Sequence, residues 1–272
     1  MLEQDISIPE SLVPRYDLSH VEIKSLTNDL LAERSESLVA QSQIVIFEAG
    51  SNSAYTNIGR YIERVVFEES FGNDTQEMVR EYGPYEAASL FFIAIDTAEA
   101  EPVGVIRIIE NSPAGLKTLN DVQNPPFSIS FDSVVSAHSI DDMDNVWDIG
   151  TAAVLPCYRF SDKGSPSLML YASGIRQANI LGIEHVVSLV DDKAYRNMTQ
   201  NIGIPFQPLA DALPASYLGS KLSHAAYGRV DEFIPSIIEK MKATADTGLG
   251  KRISPIVMKY LFEDNTIPTR NT

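Results

Sequence analysis

The chain has 272 residues, of which 44% are hydrophobic and 21% are charged, and its formal net charge is −16. This composition is typical of a globular chain with a sizeable core and excludes a largely disordered one. The acidic balance, without a cluster of Lys and Arg, predicts no nucleic-acid partner, and no apolar run approaches the roughly 18 residues of a membrane span.

Cys157 is the only cysteine of the chain. A single thiol excludes an internal disulfide and a cysteine-based zinc site, and we predict no metal and a reducing, cytoplasmic location. The first residues have neither the basic start nor the apolar centre of a signal peptide, which agrees with that location.

Helix and strand patterns alternate through the first part of the chain. Residues 1–20 predict an arm, and Ser19 is placed to cap a helix over residues 20–41. Two strands over 89–96 and 101–110, joined by a short acidic turn, predict an antiparallel hairpin. The other elements of this part are a strand over 43–50 and helices over 54–72, ending at Gly72, and 74–85.

A long segment, residues 111–145, predicts a loop with one short helix near 130–138, and loops of this length are typical of functional regions. Ser165 and Pro166 are a natural N-cap and first residue for the helix that follows the next strand. The later elements are strands over 145–156, 184–191 and 221–230, helices over 165–183, 192–203, 230–245 and 254–265, and an irregular or extended stretch over 205–218. Gly182 ends the first of these helices, and Gly150 predicts a bulge that separates the first of these strands from its neighbour.

The stretch VLPCYRFSDKGSPSLML, residues 154–170, joins a strand to a helix. A helix N-terminus presents N–H groups without intrahelical partners and the positive end of the helix dipole. With Gly164 before it and Arg159 and Lys163 beside it, this turn is suited to a pyrophosphate. The alternative is a plain connector, because such turns often contain Gly and Ser.

The same stretch resembles the donor-binding motif of the GNAT N-acetyltransferase superfamily. In that family a strand of the type V-x-P-x-Y-R leads into a glycine-rich loop whose amides hold the pyrophosphate of an acyl carrier, usually coenzyme A. VLPCYR matches the strand end and KGSPSLML the loop, with Gly164 in the first glycine position and Pro166 in the second. The resemblance implies acyl-CoA or acetyl-CoA as co-substrate, or an acyl-carrier protein. It assigns donor binding to Ala153, Val154, Leu155, Arg159, Lys163, Gly164, Ser165 and Ser167.

A narrower resemblance, to the acyl-homoserine lactone synthase branch, lies just upstream. VWDIGTAAV is similar to the branch's W-E-I-S-R-F-A-V strand, with Trp147 and Asp148 in the Trp and Glu places and Thr151 in the place of its arginine. VGVIRII resembles its Gly-x-x-Arg-Leu strand, with Arg107 as the arginine. The resemblance implies substrate binding by Arg107, Trp147 and Thr151. The missing arginine at Thr151 argues against the branch's S-adenosylmethionine substrate.

Acylation of an amine by a thioester requires a base, an oxyanion donor and a leaving thiolate. Asp148 is the first candidate for the base, because burial between apolar neighbours raises a carboxyl pKa; the alternative is an Asp bonded to a backbone turn. Glu110 is the second candidate, or a solvated edge charge. Thr199 stands where many members of the family have a tyrosine that protonates the leaving thiolate. Tyr195 and Tyr227 are therefore the candidates for this role. Arg107 binds an anionic group, or pairs with Asp148 or Glu110.

Together these features predict an α/β (α+β) fold of GNAT type, with a central mixed, mostly antiparallel sheet flanked by helices and extra helices at both ends. We expect an arm and helix over 1–43, an acyltransferase domain over 44–230 and a helical extension over 231–272. The predicted function is acyl transfer to a small-molecule amine, with an amino-acid derivative as the candidate acceptor. We expect no membrane partner, and a homodimer is the candidate assembly. The alternatives are a catalytically silent domain that senses an acyl donor or a protein partner, and an autoinducer-synthase-like enzyme.

Overall fold

A mixed β-sheet forms the centre of the computed structural model, which describes residues 13–33, 44–159, 165–263 and 266–268. Its strand order is β6-β8-β5-β4-β3-β2-β1-β9, with β7 paired to β8. Neighbours are antiparallel except for the pairs β4–β5 and β1–β9, which are parallel. The strands are β1 Ile44–Ala49, β2 Ser89–Asp96, β3 Glu101–Ile109, β4 Val146–Val154, β5 His185–Asp191, β6 Gln207–Pro208, β7 Ala215–Tyr217, β8 Ser220–Arg229 and β9 Thr266–Pro268.

Helices cover both faces of the sheet. On the first face α6, α8 and α9 pack together, and on the second face lie α1, α2, α3 and α4. Neighbouring side chains of a strand alternate between the faces, so Phe92 joins the first core and Phe91 the second. The helices are α1 His20–Ala32, α2 Thr56–Phe71, α3 Thr75–Tyr82, α4 Lys117–Asp121, α5 Phe131–His138, α6 Pro166–Leu181, α7 Asp192–Arg196, α8 Val230–Thr244 and α9 Gly248–Phe262.

Local signals in the sequence set several helix ends. Ser19 and Glu22 form a reciprocal capping box at the start of α1, which satisfies two backbone N–H groups. Gly72 and Gly182, at φ 77° and 73°, end α2 and α6 in the left-handed conformation that glycine adopts without a steric penalty. The predicted ends of these two helices are therefore confirmed.

The predicted fold class is confirmed: the mostly antiparallel mixed sheet is flanked by helices, with α1 before β1 and α8 and α9 after β8. Two details were wrong. Residues 111–145 contain α4 as well as the expected α5, and the last helix begins at Gly248 rather than at residue 254. The expected continuation of the first helix to residue 41 lies outside the described residues, and the three domain boundaries stay a prediction. Within the described ranges, no helix has the length and apolar character needed to cross a membrane.

Candidate active site

Gly150 interrupts the regular pairing of β4 with β3. Arg107 lies opposite Thr151 and Ile108 opposite Ile149, so Gly150 has no counterpart on β3 and forms a bulge. A Cβ at this position would lie 3.0 Å from the Ile109 Cδ1 atom, so a side chain here would require that methyl group to shift. The bulge predicted at Gly150 is confirmed.

Beyond this bulge β4 separates from β5. The two parallel strands pair only over Val146–Asp148, although β4 continues to Val154 and β5 to Asp191. The Ser188 hydroxyl donates a 2.9 Å hydrogen bond to the Ile149 carbonyl where the strands part. Past that point the facing edges of β4 and β5 are not paired with each other, and the sheet is open between them.

A cavity of about 1020 Å³ occupies this opening. Its walls come from both faces of the sheet: the N-terminal turns of α6 and part of α9 on the first face, and the end of α2 with α4 on the second. The cavity therefore forms a passage across the sheet, which we call the β4–β5 passage. Much of its wall is apolar and includes Val66, Phe67, Leu170, Phe206, Ile253 and Ile256.

Cationic and hydroxyl side chains surround the first-face mouth of the passage. Arg159, Lys193, Ser165 and Ser167 all line it. Arg159 is exposed, and its Nε donates a 2.9 Å hydrogen bond to the Val154 carbonyl, which holds the guanidinium against the end of β4. Hydroxyl, guanidinium and ammonium donors at one mouth form a site that suits an anion.

Of the other predicted donor-binding residues, Ala153 and Val154 line the passage. Leu155 packs against the core of the second face instead. Lys163 and Gly164 lie outside the described residues. The Leu155 N–H donates to the Val103 carbonyl at 2.9 Å, and its assignment to the donor site stays a prediction.

A buried polar cluster stands at the second-face mouth. Lys117 Nζ donates to Glu81 Oε2 at 2.8 Å, Asp121 Oδ2 at 2.6 Å and the Tyr217 hydroxyl at 2.8 Å. The Tyr217 hydroxyl in turn donates to Asp121 Oδ2 at 2.5 Å. Lys117, Asp121 and Tyr217 line the passage. We call these four residues the α4 cluster.

The sequence did not reveal the α4 cluster. Lys117 and Asp121 are i,i+4 neighbours on a five-residue helix, too short to show a periodic pattern. Tyr217 lies 100 positions beyond Lys117, within a stretch predicted to be irregular. Only the folded sheet brings them together.

Asp148 is completely buried and does not line the passage. Its carboxylate accepts hydrogen bonds from the Thr118 N–H at 2.5 Å and the Thr118 hydroxyl at 2.7 Å. Burial raises the pKa of Asp148 to about 7, against the effect of the two Thr118 hydrogen bonds. The predicted pKa shift agrees with the structure, but the contacts match the structural alternative, a carboxylate bonded to a backbone turn. Asp148 is not placed to contact an acceptor directly.

The other two predicted catalytic residues also lie away from the passage. Glu110 follows β3 as an exposed residue, with a pKa raised by partial burial. Tyr195 donates its hydroxyl to the Phe206 carbonyl at 3.2 Å and stacks on His224, with ring centroids 4.1 Å apart. Neither lines the passage, and the catalytic roles of Glu110 and Tyr195 stay predictions.

Arg107 is fully buried on the second face, where Glu63 binds it in a bidentate pair. Arg107 Nε and Nη2 donate to the two Glu63 oxygens at 2.9 and 2.6 Å, and Nη1 donates to Glu86 at 3.3 Å. The predicted partners, Asp148 and Glu110, were wrong. Because both carboxylates already bind this guanidinium and no surface of it is exposed, Arg107 is not available to an anionic substrate.

Arg60 and Tyr16 complete this buried network. Arg60 donates to Glu86 at 2.6 Å, and the Tyr16 hydroxyl donates to Glu86 at 2.7 Å while accepting from Arg107 at 2.5 Å. Two guanidinium groups thus balance two carboxylates, and Tyr16 fixes the N-terminal segment to Glu86 and Arg107. Each charge is paired and hydrogen-bonded, as burial requires.

The two remaining predicted substrate residues differ in position. Trp147 is buried in the first-face core beside Phe92 and does not line the passage, and its contact with substrate stays a prediction. Thr151 does line the passage, and its hydroxyl donates to Glu63. Thr151 therefore links the passage wall to the buried network. Across the described ranges, no group of three His, Cys, Asp or Glu side chains is arranged to hold a metal ion.

No protein-family model matches the sequence, and no curated protein matches it. Among solved structures, the chain is similar to BjaI, a CoA-dependent acyl-homoserine lactone synthase, at 11% identity over 83% of this chain and 93% of that one, with a TM-score of 0.48. It is similar to FeeM, an N-acyl amino acid synthase from uncultured soil microbes, at 14% identity over 69% and 91%, with a TM-score of 0.49. It is similar to the synthase LasI at 15% identity over 70% and 91%, with a TM-score of 0.48.

Proposed function

We propose that the protein is an N-acyltransferase, which moves an acyl group from acyl-CoA to the amine of a small molecule. The observation that carries the proposal is the β4–β5 passage, whose walls come from both faces of the sheet. A thioester and an amine that enter from opposite faces meet at the strand edge between them. The motif resemblance of VLPCYR and KGSPSLML supports the same assignment.

The first-face mouth suits the donor. Arg159 and Lys193 supply positive charge, and the first turn of α6 supplies N–H groups, although Pro166 removes one of them. A pyrophosphate placed there directs its pantetheine arm along β4, whose edge is not paired with β5 beyond Ile149. The net charge of −16 disfavours docking of an acidic carrier protein, which favours CoA as the carrier.

Backbone groups of β4 are suited to the chemistry of the thioester. An N–H group on a strand edge donates to the pantetheine amide or to the thioester carbonyl, where negative charge develops when the amine attacks. The apolar wall has room for an acyl group larger than acetyl, because the cavity of about 1020 Å³ is in the upper range for small-molecule sites.

Release of free thiol from acyl-CoA tests the proposal directly. Purified protein with acyl-CoAs of two to ten carbons and a pool of primary amines should release CoA thiol, dependent on the amine. Ala152 lines the passage on β4, so Ala152→Phe should block turnover and abolish the thermal shift caused by CoA. Ala98→Phe, at the exposed turn between β2 and β3, is the matched control and should change neither.

The anion site has its own variant pair. Arg159→Gln should weaken CoA binding by roughly tenfold, the loss expected for one charge-assisted hydrogen bond. Lys242→Gln removes an exposed charge on α8 and should leave CoA binding unchanged. Equal CoA affinity in the two variants would refute pyrophosphate binding at this mouth.

A second candidate function is a silent domain that binds an acyl donor without turning it over. The positions of Asp148, Glu110 and Tyr195, all away from the passage, favour it. A thermal shift with CoA in the absence of thiol release, across the whole amine pool, is the result that selects this candidate.

A further inference from the structure

The α4 cluster is negatively charged where it borders the passage. It holds one ammonium group, on Lys117, and two carboxylates, on Glu81 and Asp121. The Lys117 side chain is only 5% exposed, and that of Asp121 is 24% exposed. Burial acts to lower the pKa of Lys117, but its interactions with Tyr82, Tyr217 and Asp121 outweigh it and raise the pKa above its ordinary value. The lysine therefore stays charged, and the four residues of the cluster carry a formal charge of −1. On the exposed side, Arg80 lies 3.4 Å from Glu81 and is shared with Glu77, so the carboxylate that faces the passage is Asp121.

The hydrogen bonds within the cluster leave one acceptor for a ligand. All three Lys117 donors are used within the cluster, and Tyr217 donates to the same Asp121 Oδ2 that accepts from Lys117. Among the residues that the structure describes, Asp121 Oδ1 has no hydrogen-bond partner. A carboxylate ligand finds no available donor on Lys117, whereas an ammonium ligand finds an acceptor on Asp121.

The cluster is fixed to β4 at the point where the passage opens. Thr118, next to Lys117, is bound to Asp148, and the Tyr82 hydroxyl donates to the Gly150 carbonyl at 3.0 Å. α4 therefore stands at a defined distance from the strand edge on which the thioester is proposed to lie. The donor-binding cations are at the opposite mouth, so the α4 side remains for the acceptor.

We propose that the α4 cluster is the acceptor subsite and that Asp121 binds the ammonium group of a cationic amine, with Lys117 and Tyr217 holding the carboxylate in place. The ammonium passes one proton to Asp121, and from there to solvent, before its nitrogen attacks the thioester carbonyl. The C–N bond then forms, the C–S bond breaks, and the leaving CoA thiolate takes up the second proton from nitrogen. This inference rests on the proposed acyltransferase function. It selects amines with an overall positive charge, such as amino-acid amides or esters, over free amino acids, whose carboxylate meets the negative cluster without a free donor.

Calorimetric binding and kinetics together test the subsite. A panel of amino-acid amides and the matching free amino acids is titrated into wild-type protein saturated with CoA, and amides should bind at least tenfold more tightly. Asp121→Asn should weaken amide binding and raise the KM for amides by roughly 10- to 100-fold, the range for a hydrogen bond to a charged group. The KM for acyl-CoA should stay within about twofold, because the donor mouth is on the other face.

Hydroxylamine distinguishes loss of charge recognition from a structural change in the passage, because this amine is neutral at pH 7.5. Thiol release driven by hydroxylamine, counted above the direct reaction of hydroxylamine with acyl-CoA measured without protein, should survive Asp121→Asn. Asp132→Asn, an exposed carboxylate of α5, is the matched control and should behave as wild type. Equal losses with hydroxylamine and with amides, tighter binding of free amino acids, or no binding of any amide would each overturn the subsite. One further result separates the two proposals. If amides bind in a way that depends on Asp121, but no acceptor causes thiol release from acyl-CoA, the subsite is supported and the acyltransferase proposal is refuted.

Discussion

Replacement of Asp148 by asparagine makes the charge state of this buried carboxyl measurable. The side chain is fully buried and accepts two hydrogen bonds from Thr118. Asparagine has the same shape, its amide oxygen accepts the Thr118 N–H, and its amide NH₂ donates to the Thr118 hydroxyl. The substitution thus keeps the contacts and removes only the titration.

The sign of the effect follows from the direction of the pKa shift. Burial raises the pKa of Asp148 from 3.8 to about 7, so the folded protein binds a proton more tightly than the unfolded chain does. Stability contributed by the neutral carboxyl is present below pH 4 and is lost as the pH rises to about 7. A shift of about three pKa units, at 1.36 kcal/mol each, amounts to roughly 4 kcal/mol in total.

Urea unfolding of wild type and Asp148→Asn at pH 5, 6, 7 and 8 measures this loss. The free energy of unfolding of the variant minus that of wild type should increase by about 3 kcal/mol between pH 5 and pH 8. This is less than the total of roughly 4 kcal/mol because wild type has already lost part of its stability below pH 5. The other titrating groups are common to both proteins and cancel in the difference. A difference that does not change with pH, or that favours wild type as the pH rises, would refute the raised pKa.

Two predictions concern packing and the buried ion pairs. Gly59→Ala places a Cβ 2.6 Å from the Phe91 ring. The cost of overpacking should exceed the gain in helix propensity and lower the free energy of unfolding by about 1–2 kcal/mol. A variant as stable as wild type would contradict this prediction. Glu63→Gln leaves Arg107 without its bidentate partner and should cost about 3–5 kcal/mol in urea unfolding. Glu68→Gln is the control: Glu68 is the exposed partner of Arg64 in an i,i+4 pair, and the substitution should cost less than about 0.5 kcal/mol. Equal losses of stability in Glu63→Gln and Glu68→Gln would argue against a buried charge at Arg107.

Features of the fold that depend on neighbouring residues could be predicted from the sequence. The capping box at Ser19, the left-handed glycines Gly72 and Gly182, and the bulge at Gly150 each have a local steric or hydrogen-bonding cause. The strand and helix order has the same basis, because periodicity records which face of an element is buried.

Features that depend on pairing across the sheet could not be predicted. Arg107 was identified as a buried cation, but its partners, Glu63 and Glu86, lie on α2 and before β2, 44 and 21 positions away. Asp148 was identified as a buried acid, yet its partner Thr118 stands in a segment predicted to be mostly loop. The sequence identifies a charged residue among apolar neighbours, which needs a partner when it is buried. Which residue becomes that partner depends on how the strands and helices pack in the folded sheet.

The contacts of Asp148 assign it a positioning role on the acceptor side. Its carboxylate holds the first turn of α4, and the same short helix carries Lys117 and Asp121 into the passage. Asp148→Ala removes this attachment and should raise the KM for amides about tenfold, while Asp148→Asn, which keeps both hydrogen bonds, should restore it. The KM for acyl-CoA should be the same in both variants. A loss of rate at pH 7 in Asp148→Asn with unchanged KM for amides would instead make the ionised carboxyl itself the base.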